Sequence, residues 1–417
     1  MSAIIESSVR ENQSNLAPSQ VDFELERYPR RAHEALQAWD AADILILRQL
    51  EDHSETIGDV LVVNDNWGAL STALAHRRPS TLSDSYLAHA AARENLRRNH
   101  IDLAAVSFLT SFDPLPARID TLVMKVPKSL ALLEDQLHRI APHLHGKSTV
   151  LAAAMTKDIH RSTLDLFTKI VGPTRPSPAE KKARLIFCET NPNLQLPPNP
   201  WPRTYTVIPG DQVVTNHAGV FAAERLDAGA CLLLEHLPRR DGPHRIVDLG
   251  CGNGVLGVKA AIGSPEAEVT FVDESYRAVA SAEATFRANL GAKRRAHFVV
   301  GNGLFDLEYG APAMAGFDLV LNNPPFHENH AISYATAWQM FVESRDVLRP
   351  GGEFWVVGNR HLGYLDKLKC LFSKCDIVAS NREFVVLRAT KTWKNERTQP
   401  RLLRIVRSAT DPANPRG

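Results

Sequence analysis

The sequence predicts an α/β protein of two tandem domains, each a mostly parallel sheet with helices on both faces. Three observations carry that prediction. From Arg245 onward, short apolar stretches alternate with amphipathic ones, as strands and helices do around a parallel sheet. The 417-residue length is too great for one ordinary core and suits two domains. The first half also repeats, weakly, the plan of the second.

In the second half, strands are expected over residues 245–249, 268–272, 297–300, 317–321, 353–357, 376–379 and 384–388. Helices are expected over 255–262, 276–290, 332–348 and 362–372. Upstream, Tyr205-Thr-Val-Ile and Val213-Val-Thr-Asn flank a turn of Pro209, Gly210, Asp211 and Gln212, which reads as a hairpin. Asp227 stands where a helix N-cap belongs. Residues 190–202 hold five prolines; they read as a linker, since proline lacks a donor and stiffens the chain. The expected organisation is a flexible segment 1–34, a first domain 35–189, the linker 190–202, a second domain 203–390 and a basic tail 391–417.

Two motifs in the second half carry chemistry. Val247-Asp248-Leu249-Gly250-Cys251-Gly252-Asn253-Gly254 ends a strand and opens a helix. Its glycines permit a sharp turn and bring backbone N–H groups close to a ligand. Val255 stands where a dinucleotide loop would place its third glycine. Asp273 ends the next strand, where a carboxylate accepts both hydroxyl protons of a ribose. Asn302 ends the third strand.

The second motif, Phe317-Asp-Leu-Val-Leu-Asn-Asn323-Pro324-Pro325-Phe326, ends a buried strand in two prolines that hold the backbone extended. Ligands of such sheets sit at the strands' carboxyl ends. An amine conjugated to an aromatic ring is a poor nucleophile. The Asn323 side-chain oxygen and the Pro324 carbonyl can each accept one of its N–H protons and direct its lone pair. Phe326 can stack on the base, beside Pro325. No strong general base is required, so positioning supplies most of the acceleration.

The G-x-G-x-G loop with its preceding acid resembles motif I of the class I methyltransferases. That resemblance implies two tandem class I (Rossmann-like) methyltransferase folds, the N-terminal one degenerate, with S-adenosyl-L-methionine as cofactor. It places the methionine end of the cofactor along Gly250, Gly252 and Gly254. Asp248 would support the loop or the cofactor's ammonium, Asp273 would hold the ribose, and Asn302 would face the adenine edge. Asn-Pro-Pro-aromatic is similar to the site of enzymes that methylate adenine N6, cytosine N4, guanine N2 or a glutamine amide.

The surrounding stretches Asn323-Pro-Pro-Phe-His327-Glu-Asn-His330 and Asn216-His217-Ala-Gly-Val220-Phe221 resemble the bacterial ribosomal RNA guanine-N2 methyltransferases. Stretches such as Gln37-Ala-Trp-Asp and Gly358-Asn-Arg-His-Leu-Gly favour the large-subunit (23S) branch over the small-subunit (16S) branch. The resemblance runs from about residue 35 to residue 390. It puts Phe221 beside the substrate pocket and implies a monomer acting on deproteinised or unassembled large-subunit RNA. His327 and His330 lack a third placed ligand. They read as contacts to substrate or phosphate, or as solvent-exposed residues, and no metal site is expected.

Matching Gly68 with Gly254 puts Asn64 and Asn66 at the positions of Gly250 and Gly252, Val62 at Asp248 and Trp67 at Asn253. The block Leu82-Ser-Asp84-Ser-Tyr86 falls on Val272-Asp273-Glu-Ser-Tyr276. Asp120 through Pro127 falls on Phe317 through Pro324, which opposes Val126 to Asn323 and Lys128 to Pro325. Asp84 is the one acidic group retained, and it reads as a helix N-cap. The first domain is therefore expected to bind no cofactor and to hold RNA through Lys125 and Lys128. Arg77, Arg78, Arg97, Arg98, Lys181, Lys182 and Arg184 would assist. The tail's seven basic residues against two acidic ones extend that surface.

Composition narrows the class. Hydrophobic residues make up 44% and charged residues 23%, as in soluble globular proteins, and no apolar run reaches the length of a membrane span. No signal pattern opens the chain, and five cysteines without a CxxC pair fit reduced thiols in the cytoplasm. A net charge of +1 leaves RNA binding to local patches. Glutamine methylation on a translation factor and a catalytically silent RNA-binding assembly factor are the competing readings. The first would favour tyrosine at Phe326; the intact Asp248, Gly250, Gly252, Asp273 and Asn323 weigh against the second.

Overall fold

The structure, a computed structural model, describes residues 15–16, 22–30, 36–51, 58–207, 211–308, 314–325 and 330–392. The first domain contains strands β1 (Val60–Val63), β2 (Ser80–Leu82), β3 (Ser107–Leu109), β4 (Ile119–Lys125), β5 (Leu144–Met155), β6 (Thr174–Pro176) and β7 (Ala183–Glu189). Its helices are α1 (Ala41–Glu51), α2 (Ala69–Ala73), α3 (Tyr86–Arg98), α4 (Leu130–Ile140) and α5 (Arg161–Ile170). A hairpin follows, β8 (Arg203–Val207) and β9 (Gln212–Asn216), and then helix α6 (Ala228–His236).

The second sheet uses β10 (Arg245–Leu249), β11 (Glu268–Asp273), β12 (Ala296–Asn302), β13 (Asp306–Leu307), β14 (Phe317–Asn322), β15 (Leu348–Asn359), β16 (Lys374–Ser380) and β17 (Phe384–Thr390). The second domain's other helices are α7 (Val255–Gly263), α8 (Tyr276–Leu290), α9 (His330–Val347) and α10 (Tyr364–Leu371). The expected second-half elements are present. The strand expected at 353–357 is the end of a twelve-residue strand. The two-residue β13 carries no periodic signal and was not expected.

Both sheets have one topology. The first runs β3-β2-β1-β4-β5-β7-β6, and the second β13-β12-β11-β10-β14-β15-β17-β16. Parallel pairing holds except at the closing strands, where β7 and β17 run antiparallel to their neighbours, and at β13. Each sheet buries apolar side chains on both faces. Val62, Val123 and Leu151 lie on one face of the first, and Leu61, Leu122 and Val150 on the other.

Sheet register corrects the sequence alignment of the repeat by one residue. Val60 pairs with Thr121 in the first domain, and Ile246 with Leu319 in the second. Each strand carries a register shift two residues after its first, at Ile119/Thr121 and at Phe317/Leu319. Lys125, not Val126, therefore occupies the position of Asn323, and Val126 that of Pro324. Aligning the prolines had slipped the strand, and a one-residue slip would turn every core side chain to the wrong face.

The domains meet about a local two-fold. Ser85 caps α3 by accepting from the Ala88 N–H at 3.2 Å, and Ser275 caps α8 by accepting from the Ala278 N–H at 3.0 Å. Asp84 is thus not the cap; it belongs to the seam. The Tyr86 N–H donates to the Glu274 carbonyl at 2.9 Å, and the Tyr276 N–H to the Asp84 carbonyl at 3.0 Å. The Ser85 hydroxyl donates to Glu274 and the Ser275 hydroxyl to Asp84, each at 2.6 Å. Arg277 is 2% exposed and reaches Asp135 of α4 at 2.5 Å. Residues 190–202 contain no helix or strand but are tied down. Asn199 donates to Asp135 at 2.7 Å, and the Trp201 indole to Glu134 at 3.1 Å.

His89 of α3 packs against Phe108 and, across the seam, Tyr276. Burial, with Arg93 adding to it, lowers its imidazole to about 4. The folded chain then holds His89 neutral where the unfolded chain protonates it, so stability falls as pH drops from about 6.5 to 4. His89→Gln should lessen that acid loss by up to about 3 kcal/mol. Urea unfolding of both proteins at pH 7.5 and 4.5 checks it; equal acid losses would refute it.

Candidate active site

The carboxyl ends of the parallel neighbours β12, β11, β10 and β14 lie along one edge of the second sheet. After β10 the chain turns through Gly250, Gly252 and Gly254, at φ of +67°, +52° and +77°, a region costly for residues with a Cβ. Gly254 caps α7, and a Cβ there would lie 2.8 Å from the Ala282 Cα. Gly68 makes the matching close approach to Ala92, with a Cβ at 2.4 Å from its Cα. That constraint is packing and is common to both domains. At Gly252 a Cβ would meet nothing within 4 Å, so the loop presents open backbone there.

Asp273 ties this loop to its own strand end. One oxygen accepts from the Gly252 N–H at 2.9 Å and the other from the Ser275 N–H at 3.1 Å. Burial raises its carboxyl above the usual range. Asp248 is fully buried. One oxygen accepts from the Gly257 N–H at 2.8 Å, while the other has no hydrogen-bond partner. Burial pushes this carboxyl to about 8, Asp273 adding to the shift. The Gly257 contact ties the end of β10 to the first turn of α7. At the end of β12, the Asn302 amide lies 3.5 Å from Asp306. Asp306 also accepts the hydroxyls of Tyr28 at 2.7 Å and Tyr86 at 2.8 Å.

At the end of β14, the buried Asn322 donates to the Leu249 carbonyl at 2.7 Å, locking the strand end beside the glycine loop. Asn323 follows. Its amide nitrogen donates to Asp227 at 3.3 Å, and its amide oxygen is buried with no hydrogen-bond partner. Asp227 also caps α6 through the Ala230 N–H at 3.0 Å. The expected cap is therefore present, and its second contact was missed. A carboxylate accepts only, so it selects the amide's NH₂ end and turns the oxygen away. Pro324 is buried and Pro325 exposed. Phe326 and His327 lie outside the described residues, as do the N-terminal segment to residue 14 and the tail beyond Thr392. His330 opens α9.

A cleft of about 980 Å³ lies beside Asp227, between Phe221 on one side and Leu130, Glu134 and Trp201 on the other. Phe221 is 54% exposed at its edge. Lys128 is exposed after β4. Lys125 overturns its expected role as a surface cation. It is 7% exposed, and its ammonium sits 2.6 Å from Asp40 and 2.8 Å from Asp43 of the first domain. Arg98 is likewise bound to Glu26 at 2.8 Å.

The two domains form a matched pair at this point. Asp40 precedes α1 and accepts from the Ala42 N–H at 2.8 Å, much as Asp227 caps α6. Where Asp227 orients the Asn323 amide, Asp40 pairs with the Lys125 ammonium. An ammonium offers three donors and no acceptor, so it cannot take a proton from an amine. Asn64, at the position of Gly250, exchanges hydrogen bonds with Gln136 at 2.9 and 2.8 Å. Ser83 replaces Asp273. The first domain thus carries side-chain pairs where the second has a loop glycine and Asn323.

The second domain, with its glycine loop, acidic strand end and Asn-Pro-Pro strand end, is that of an S-adenosylmethionine-dependent methyltransferase. The family model described as RLMG N-terminal domain matches residues 13–192, and that of the methyltransferase small domain matches 211–388. Ribosomal RNA large subunit methyltransferase G of Streptomyces avermitilis is 55% identical over 375 residues, covering 88% of this chain and 97% of that protein. The Klebsiella pneumoniae protein of the same name is 46% identical, over 89% of this chain and 97% of its own length. The chain belongs to the ribosomal RNA large subunit methyltransferase G family. Its fold matches that of T. thermophilus 16S rRNA N2 G1207 methyltransferase, solved with AdoMet and guanosine. That match has a TM-score of 0.69 at 20% identity and covers 90% of this chain and 97% of the other.

Proposed function

We propose that this protein transfers a methyl group from S-adenosylmethionine to the exocyclic N2 amine of a guanine in 23S ribosomal RNA. The observation that carries the reading is the buried, unpartnered Asn323 oxygen, at the strand end beside the glycine loop, on an amide whose NH₂ group donates to Asp227. A buried acceptor without a partner costs about 1–3 kcal/mol, and the N–H of a substrate amine removes that cost. When bound, the cofactor would supply an electrophilic sulfonium methyl, which passes to the amine nitrogen as the thioether S-adenosylhomocysteine leaves and the surplus N–H proton is lost to water.

Asn323 and the Pro324 carbonyl each accept one N–H, so the nitrogen lone pair faces the methyl. The open backbone at Gly252 and the carboxylate of Asp273 suit the cofactor's methionine and ribose parts, and Asn302 its adenine. Phe221 and Pro325 border the base, and Lys128 offers a phosphate contact. An exocyclic amine is reached only when the base leaves its stack, so unpaired, unassembled large-subunit RNA is the substrate. The relatives' names support the large-subunit RNA, and we place the protein in the cytoplasm as a monomer.

Incubation with tritiated cofactor and separate deproteinised 23S and 16S RNA, followed by nucleoside digestion, tests this reading. N2-methylguanosine from 23S RNA is expected. Methyladenosine, methylcytidine, label in 16S RNA alone or label only in protein would refute it.

A further inference from the structure

The first domain grips the second at the residues that follow two of its cofactor-side strand ends. After β11 and Asp273, Glu274 and Ser275 are bound by Ser85, Tyr86 and Asp84. After β12 and Asn302, Asp306 receives two phenol hydroxyls, one at 2.7 Å from Tyr28, in the segment expected to be flexible but bound here, and one at 2.8 Å from Tyr86 of α3. Asp306 pairs in β13 directly opposite Asn302, and its Oδ2 lies 3.5 Å from the Asn302 amide nitrogen. Tyr28 donates to that same Oδ2, and Tyr86 to Oδ1. From the other side, Glu343 of α9 accepts the Leu304 N–H at 2.6 Å. The short loop from Asn302 to Asp306 is thus held between the catalytic domain's own helix and two residues of the domain that transfers nothing.

We propose that Tyr28 and Tyr86 are positioning residues of the cofactor site, acting through Asp306 to set the Asn302 amide against the adenosine end of S-adenosylmethionine. The non-transferring domain is in this sense a working wall of its sister's pocket. The proposal rests on the methyltransferase reading above and on Asn302 facing the adenosine part. The chemistry favours fixing the amide through Asp306. A carboxylate that takes hydroxyl protons on both oxygens is held in place. It then accepts from the Asn302 NH₂ group and leaves that amide's oxygen directed outward, able to accept from an exocyclic amine. Phenylalanine at both positions keeps the rings and removes only the two donors.

The test uses the full-length protein, its Tyr28→Phe/Tyr86→Phe variant, and both again in an Asn302→Ala background. The affinity of S-adenosylhomocysteine is measured by calorimetry, with inhibition by adenosine and the cofactor KM and kcat. The double tyrosine variant should lose roughly tenfold in affinity for both ligands. Its kcat at saturating cofactor should hold, and any fall in its ligand-free melting temperature should recur in the Asn302→Ala background, where the affinity does not fall further. In the Asn302→Ala background the same two changes should add nothing further. Asp306→Asn should reproduce the loss. Unchanged affinity in the double variant would overturn the proposal, as would an equal loss without Asn302. If the unaltered protein binds S-adenosylhomocysteine but not adenosine, the assignment of the adenosine end fails. If it binds neither, the underlying methyltransferase reading fails.

Discussion

Asn323→Ala should slow methyl transfer by roughly 10²–10³-fold, the loss typical of removing one preorganised hydrogen-bonding group at a reacting centre. Affinity for S-adenosylhomocysteine should be retained, because the loop residues Gly250, Gly252 and Gly254 and the Asp273 carboxylate are untouched. Single-turnover rates with 23S RNA and calorimetry on the cofactor product separate the two. Unchanged transfer, or parallel loss of cofactor binding, would contradict the assigned role. Asn323→Asp makes the sharper comparison. It keeps an acceptor but sets a second carboxylate beside Asp227, which lies 3.3 Å from the Asn323 amide nitrogen, so repulsion turns the group away or leaves it protonated. It should recover little of the lost rate.

Asp273→Ala should weaken cofactor binding by at least about 10²-fold. Two hydrogen bonds to a charged acceptor contribute roughly 1.5–3 kcal/mol each. The Gly252 and Ser275 N–H groups, now 2.9 and 3.1 Å from the carboxylate, would also lose their anchor. The loop loosens in addition to losing the ribose contact. Calorimetric titration with S-adenosylhomocysteine reads this directly, and an affinity within about threefold of the unaltered protein would contradict the ribose role. Ser275, which caps α8, keeps that helix start intact in the variant, so a collapse of stability is not expected.

Strand ends are where sequence reasoning reached furthest. The strand-end placement of Gly250, Gly252, Gly254, Asp273 and Asn323 was legible because each sits at a fixed offset from an apolar run. The Asp227 cap was legible for the same local reason, since a cap lies next to its own helix. Its bond to Asn323 spans 96 residues of chain, and no spacing announces it. Asp306, Tyr28 and Tyr86 were likewise silent, because their meeting depends on how two domains dock.

The repeat shows the division most clearly. Sequence by itself determined that the chain holds two copies of one α/β plan, and that the first copy has asparagines in place of the first two loop glycines. It did so because apolar alternation and glycine positions are local properties of the backbone. Only the tertiary structure decided which residue replaces Asn323. Strand register is set by pairing across the sheet, and Val60 against Thr121 places Lys125 there. The same packing buries that lysine between Asp40 and Asp43. A cation expected to reach for RNA is instead paired with two carboxylates inside the first domain.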